Sequence, residues 1–254
     1  MNFFNSIIYK FTIPFCGRIL VNRNKFVNVI YYHNIVRGEG ESFMHINVNL
    51  FKKQMQYIYD HGYNTLRFDD LSEQNNLYFK KKTVLIAFDD GWLSNYTEIF
   101  DFMQSHDIKY NIFLTIGEIC RNPEYLTWDI VRHMHESRLV GFGVHTYSHP
   151  DMSDLSNVDL TKEIELANSI FKNELGYISK DFCYPFGYYS EESNEYLSSK
   201  TNYSRIYTSS MFFSYCQNRC VIFGRNGISN DESFLVFKGK LKGYYNVWRS
   251  LFKW

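Results

Sequence analysis

Thr83-Val84-Leu85-Ile86-Ala87-Phe88-Asp89-Asp90-Gly91 is a run of uncharged, largely branched residues that ends in two carboxylates and a glycine. Preceded by Lys80-Lys81-Lys82, it reads as a strand buried on both faces, as parallel strands under helices are. Side chains alternate along an extended segment, so Asp89 and Asp90 share a direction only if the chain turns, and Gly91 supplies the freedom to turn there. By itself an Asp-Asp-Gly is also an ordinary solvated turn in which one Asp caps the next helix. The flanking chain decides between the two.

Upstream, residues 26–32 read as a strand that delivers His33. Asn49 reads as the cap of a helix whose apolar face is Phe51, Met55 and Ile58, with Gly62 as its stop and residues 65–68 as a short strand. Downstream, Tyr96, Ile99, Phe100 and Met103 mark a covering helix, and residues 110–114 a further strand. Thr127 caps a helix carrying Ile130, Val131 and Met134, and residues 139–144 form a strand ending at His145. Leu160, Ile164, Ala167 and Phe171 line a helix that stops at Gly176, and residues 181–184 run into Pro185-Phe186-Gly187. Residues 203–207 and 220–224 complete the set.

Strands separated mostly by helices predict an α/β fold, and a (β/α) barrel of seven or eight parallel strands fits better than a doubly wound sheet. In such a barrel the chemistry gathers in the loops at the C-terminal ends of the strands. His33, Asp89-Asp90, His145, Pro185-Phe186-Gly187 and Arg225 each follow directly on a strand. No fixed repeat, low-complexity tract or linker rich in Gly, Pro or Ser divides the chain, so one domain is expected, spanning residues 26–240.

The chain has 254 residues, and Lys plus Arg equal Asp plus Glu at 27 each. That balance offers no attraction to nucleic acid or to an acidic polymer. Aromatics reach 19%, more than such a core needs, and faces rich in Tyr and Trp suit sugar rings as well as packing. Five cysteines without a dense framework point to a reduced compartment. Residues 1–25 carry Phe3, Phe4, Ile7, Ile8 and Phe11 on one helical face, interrupted by Lys10 and Arg18. This segment is amphipathic and too short to span a bilayer, and no cleavage site follows an apolar core. Residues 241–254 echo it with Val247, Trp248, Leu251 and Phe252 beside Arg249 and Lys253. Both ends read as helices packed on the domain, with peripheral membrane attachment as the alternative, and a cytoplasmic location is expected.

His145-Thr146-Tyr147-Ser148-His149 sets two imidazoles four residues apart, a spacing that converges on one ion when the segment curls. Two nearby histidines are also common polar loop residues. With one carboxylate from the Asp pair the set becomes two His and one Asp with an open position, the pattern of catalytic zinc. A divalent ion there lowers the pKa of bound water to about 7 and polarises a carbonyl, leaving the second carboxylate to take the proton.

Phe88-Asp89-Asp90-Gly91, the His145–His149 stretch and Tyr184-Pro185-Phe186-Gly187, in that order, resemble the first three motifs of the polysaccharide deacetylase family with its NodB-type homology domain. The resemblance covers the chain from Tyr31-Tyr32-His33 to beyond Arg225. It implies a distorted (β/α) barrel and removal of acetyl groups from a carbohydrate with one divalent ion, usually zinc. It implies Asp89 as general base and Asp90, His145 and His149 as metal ligands. Tyr184-Pro185-Phe186 becomes the substrate loop, with the Phe186 N–H holding the oxyanion.

Two departures stand out. Cys183 occupies the place of the motif Arg that supports the base; Arg225 takes over that role or is an ordinary ion-paired Arg. No histidine follows His149 to serve as the family's C-terminal general acid. One branch, acting on exopolysaccharides, carries that His before the Asp-Asp motif, and His33 matches it. The expectation is a metal-dependent deacetylase of an amino-sugar carbohydrate. The alternatives are a carbohydrate-binding protein that has lost the chemistry, and a deformylase or deacetylase of a lipid-linked sugar.

Overall fold

The computed structural model describes residues 27–246 except 39, 41, 43, 72–81, 213 and 218. Of the amphipathic ends expected at residues 1–25 and 241–254, the first and residues 247–254 of the second lie outside the described residues. The strands are β1 (Asn28–Tyr32), β2 (Ile35–Val36), β3 (Ile46–Asn47), β4 (Asn64–Leu66), β5 (Thr83–Phe88) and β6 (Tyr110–Leu114). They continue as β7 (Val140–Val144), β8 (Asp181–Cys183), β9 (Arg205–Tyr207), β10 (Tyr215–Gln217), β11 (Cys220–Phe223) and β12 (Asn226–Gly227). The helices are α1 (Val48–Asp60), α2 (Ser94–Thr97), α3 (Phe100–Ser105), α4 (Trp128–Glu136), α5 (Asn157–Leu175), α6 (Glu191–Lys200) and α7 (Phe234–Leu241). No described helix is long and apolar enough to cross a membrane.

One sheet runs β10-β11-β9-β8-β7-β6-β5-β1-β12, parallel except for the β10–β11 pair. Its two ends meet through one stretch of chain. β11 pairs with β9, and two residues later β12 pairs with β1. Gly224-Arg225 therefore links the two sides of the curled sheet, with no ladder between its ends among the described residues, which is the distortion in the expected α/β barrel.

Parity along the staves sorts the core into two layers. Val29, Leu85, Ala87, Phe113, Cys183, Tyr207, Val221 and Phe223 pack together in the barrel interior. Their neighbours Ile30, Ile86, Ile112, Val144, Phe182 and Ile222 face outward beneath Met55, Met103, Val131, Ile164 and Leu197 of the helices. Continuing the inner parity past each strand end leads to His33, Asp89, His145 and Arg225.

A second distortion lies along β5. β1 pairs with residues 84–88, but the other edge is shared, β4 taking residues 83–85 and β6 taking 87 and 88. Asn111 fills the fork. Its Nδ2 donates to Leu66 O at 2.9 Å and Ile86 O at 3.2 Å, and its Oδ1 accepts from Phe68 N at 2.7 Å. A Cβ on the facing Gly141 would stand 2.4 Å from that Oδ1, so only glycine admits the carboxamide.

The boundaries differ from expectation where local hydrogen bonds decide them. Asn47, not Asn49, caps α1, accepting from Asn49 N and Leu50 N. The strand expected at residues 65–68 ends at Leu66 because Phe68–Asp70 turns into a 3-10 helix. The covering helix around Tyr96 and Met103 is broken into α2 and α3. At the far end Asn246 is buried, accepting from Asn226 Nδ2 and donating to Phe212 O, so the chain is tied to the barrel up to that residue.

Asn111→Leu conserves volume while stranding three buried backbone groups, each worth about 1–3 kcal/mol. A loss of about 3 kcal/mol or more in urea unfolding is expected. A loss under about 1 kcal/mol would mean that the fork is held some other way.

Candidate active site

Asp89 enters the rim on the inner parity of β5, and Arg225 enters it from the link between β11 and β12. Arg225 Nη1 and Nη2 donate to Asp89 Oδ1 and Oδ2 at 2.7 and 2.8 Å. Its Nε donates to Thr208 O at 2.9 Å, and the Tyr31 ring lies 4.1 Å from the guanidinium carbon. Both partners are buried, Arg225 at 0% exposure, so Arg225 is no surface ion pair. Burial pushes the Asp89 carboxyl up, but the guanidinium more than offsets this and holds it below the usual carboxylate range. Cys183, on the inner face of β8, leaves its thiol uncharged because burial pushes its pKa up.

Asp90 belongs by parity to the outer face. It reaches the rim because the turn starts at Asp90 itself, with φ 74° there and 89° at Gly91. Asp tolerates the left-handed region better than most residues do. Its Oδ2 accepts from Trp92 Nε1 at 3.0 Å. Its Oδ1 is buried without a hydrogen-bond partner, 3.6 Å from His145 Nε2 and 3.3 Å from His149 Nε2.

His145 continues the inner parity of β7. Its Nδ1 lies 2.8 Å from Cys183 O, and since a carbonyl only accepts, Nδ1 carries the proton and Nε2 presents a lone pair. His149 arrives by a tight loop in which Thr146 and His149 have φ of 65° and 60°, costing about 1–2 kcal/mol each. The loop is pinned by Glu163 of α5, which accepts from Tyr147 N, Ser148 N and Ser148 Oγ at 3.1, 2.9 and 2.7 Å. Thr146 Oγ1 accepts from His149 N at 2.9 Å.

One oxygen and two nitrogens of Asp90, His145 and His149 lie within 4.8 Å of one another. A buried carboxylate oxygen that makes no well-aligned hydrogen bond and faces two imidazole nitrogens at 3.3 and 3.6 Å is a donor set that a divalent ion satisfies. Burial, then the neighbouring His149, lowers the His145 pKa to about 4. For His149 burial also works downward, but the Asp90 carboxylate outweighs it and the pKa ends raised.

His33 Nε2 stands 3.9 Å from Asp89 Oδ2, beyond hydrogen-bond reach but in the same cluster. Of the substrate loop, only Phe186 faces solvent, at 57% exposure, with its ring 4.7 Å from that of His149. The side chains of Tyr184 and Pro185 are buried, and Tyr184 donates to Asn194 Oδ1. Phe186 has φ 57°. Trp92 and Glu163 were invisible as site residues in the sequence. Only the adjacency of Trp92 to Asp-Asp-Gly was a signal.

Comparison with known proteins points the same way. A family profile described as polysaccharide deacetylase matches residues 76–204. A Bacillus subtilis (strain 168) protein, YxkH, provisionally named a polysaccharide deacetylase, is 27% identical over 65% of this chain and 58% of its own length. The poly-beta-1,6-N-acetyl-D-glucosamine N-deacetylase of Escherichia coli (strain K12) is 26% identical over 49% of this chain and 21% of its own. The chain thus spans about half or less of the curated relatives it matches. The Streptococcus pyogenes deacetylase PplD, solved with acetate, shares the fold at a TM-score of 0.76 and 21% identity, covering 87% of this chain and 99% of that one.

Histidine-ring NMR of the chelator-treated protein tests the electrostatics. Because its folded pKa is about 4, His145 is expected to stay neutral from pH 8 to near 5. His149, raised, is expected to stay protonated above the ordinary value of about 6.5. Ion affinity then rises with pH as His149 loses its proton, with no contribution from His145. A His145 that titrates near 6.5 would contradict the assignment.

Proposed function

We propose that this chain, which belongs to the polysaccharide deacetylase family, removes N-acetyl groups from an amino-sugar polymer or its precursor. The observation that carries the reading is the unlike treatment of two adjacent carboxylates. Each oxygen of Asp89 accepts one hydrogen bond from Arg225, while Asp90 turns an oxygen without a well-aligned donor toward two imidazoles. Asp90, His145 and His149 would hold one divalent ion, zinc by the donor types. Such an ion supplies Lewis acidity toward the carbonyl and eases ionisation of water.

The remaining work falls to the chain. Asp89, kept ionised and aimed by Arg225, accepts the proton of the attacking water. The Phe186 N–H meets the carbonyl oxygen as it gains charge. His33 gives a proton to the sugar nitrogen as the C–N bond breaks, so that acetate and a free amine leave. The similarity to the Escherichia coli poly-beta-1,6-N-acetyl-D-glucosamine N-deacetylase supports an N-acetylated glucosamine polymer as the substrate class.

His145→Ala should abolish stoichiometric metal, whereas Asp89→Asn should retain it and lose most acetate release from acetylated glucosamine oligomers. Loss of the ion in Asp89→Asn with retention in Asp90→Asn would reverse the two roles. His33→Ala should cost about a hundredfold in kcat on the amide and less on an activated aryl acetate, with metal content unchanged.

A further inference from the structure

The two carboxylate oxygens of Asp90 have different surroundings. Oδ1 faces the imidazoles and has no hydrogen-bond partner. Oδ2 is taken by the Trp92 indole at 3.0 Å. The indole is held firmly in place. Trp92 forms an antiparallel backbone bridge with Tyr125, and their rings stack at 4.7 Å and 27°. Leu93 N donates to Glu124 O at 2.8 Å and Leu126 N to Gly91 O at 2.9 Å, which ties the Asp-Asp turn to the Tyr125 segment on both sides of the bridge.

We propose that Trp92 is a positioning residue that makes Asp90 a one-oxygen metal ligand by occupying Oδ2. The inference rests on the metal-dependent reading above. An indole N–H is a donor only, so Trp92 cannot ligate an ion itself and acts through the carboxylate. A carboxylate that chelates with both oxygens suits large cations with many oxygen ligands. One restricted to a single oxygen keeps the coordination number low, and positions stay open for water and substrate. Trp92 thereby biases the site toward a compact ion with imidazole ligands. It also fixes the carboxylate plane before the ion arrives, which lowers the cost of ordering the site.

Trp92→Phe keeps the ring and its stack on Tyr125 but deletes the donor. Competition with a chromophoric chelator should show zinc binding weakened about 10–100-fold, the usual worth of a group that orients a ligand. The visible absorption of the cobalt(II)-loaded variant should fall as Asp90 turns to offer both oxygens and the coordination number rises. A purely structural role would move neither readout while the metal-free variant keeps the wild-type circular dichroism. If Trp92→Phe does not fold, Tyr125→Leu carries the test, because it releases the indole and should weaken zinc binding several-fold. Wild-type affinity and spectrum in the folded variant, or wild-type affinity in Tyr125→Leu, would overturn the proposal and leave the metal-dependent reading standing. Absence of zinc binding by the wild type would overturn both.

Discussion

Asp89 and Arg225 bury opposite charges against each other inside the barrel, and the rim is arranged so that neither is left alone. Removing one member of such a pair costs about 3–5 kcal/mol, because the partner stays buried and unpaired. The pair is favourable here because its geometry is complete. Two parallel hydrogen bonds join the guanidinium to the carboxylate, a third goes to Thr208 O, and the Tyr31 ring covers the guanidinium. Arg225 also sits in the link between the strand that pairs with β9 and the one that pairs with β1.

The pair divides the labour between neighbouring carboxylates. One Asp is neutralised by a fixed cation and stays ionised. The other is left short of partners. The left-handed backbone at Asp90, Thr146, His149 and Phe186 gathers around this deficit, and such strain persists only where surrounding bonds over-determine the backbone. Glu163, the Trp92–Tyr125 bridge and the β6 edge supply those bonds.

Much of this was legible in the sequence. The β5 run, the caps at Thr127 and Gly176 and the strand ends at His33, Asp89 and His145 follow from alternation and capping, which are local. Arg225 was legible as a strand-end residue, but its pairing with Asp89 was not, because the pair joins residues 136 apart in sequence. The Asn111 fork escaped notice for the same reason, since a buried Asn in a strand reads as a flaw until the split edge of β5 is seen. The burial of the Tyr184 side chain, whose hydroxyl donates to Asn194 of α6, was not legible in the motif that carries it. The positive φ at Asp90 escaped because Gly91 offered a sufficient place to turn.

Carbon-13 NMR titration of the Asp89 carboxyl, in the wild type and in Arg225→Met, tests the central claim most directly. The account predicts a wild-type carboxyl ionised throughout the range above the ordinary value of about 3.9, and a raised pKa once the guanidinium is gone. A wild-type carboxyl that titrates at or above the ordinary value, or one unmoved by the loss of Arg225, would contradict it.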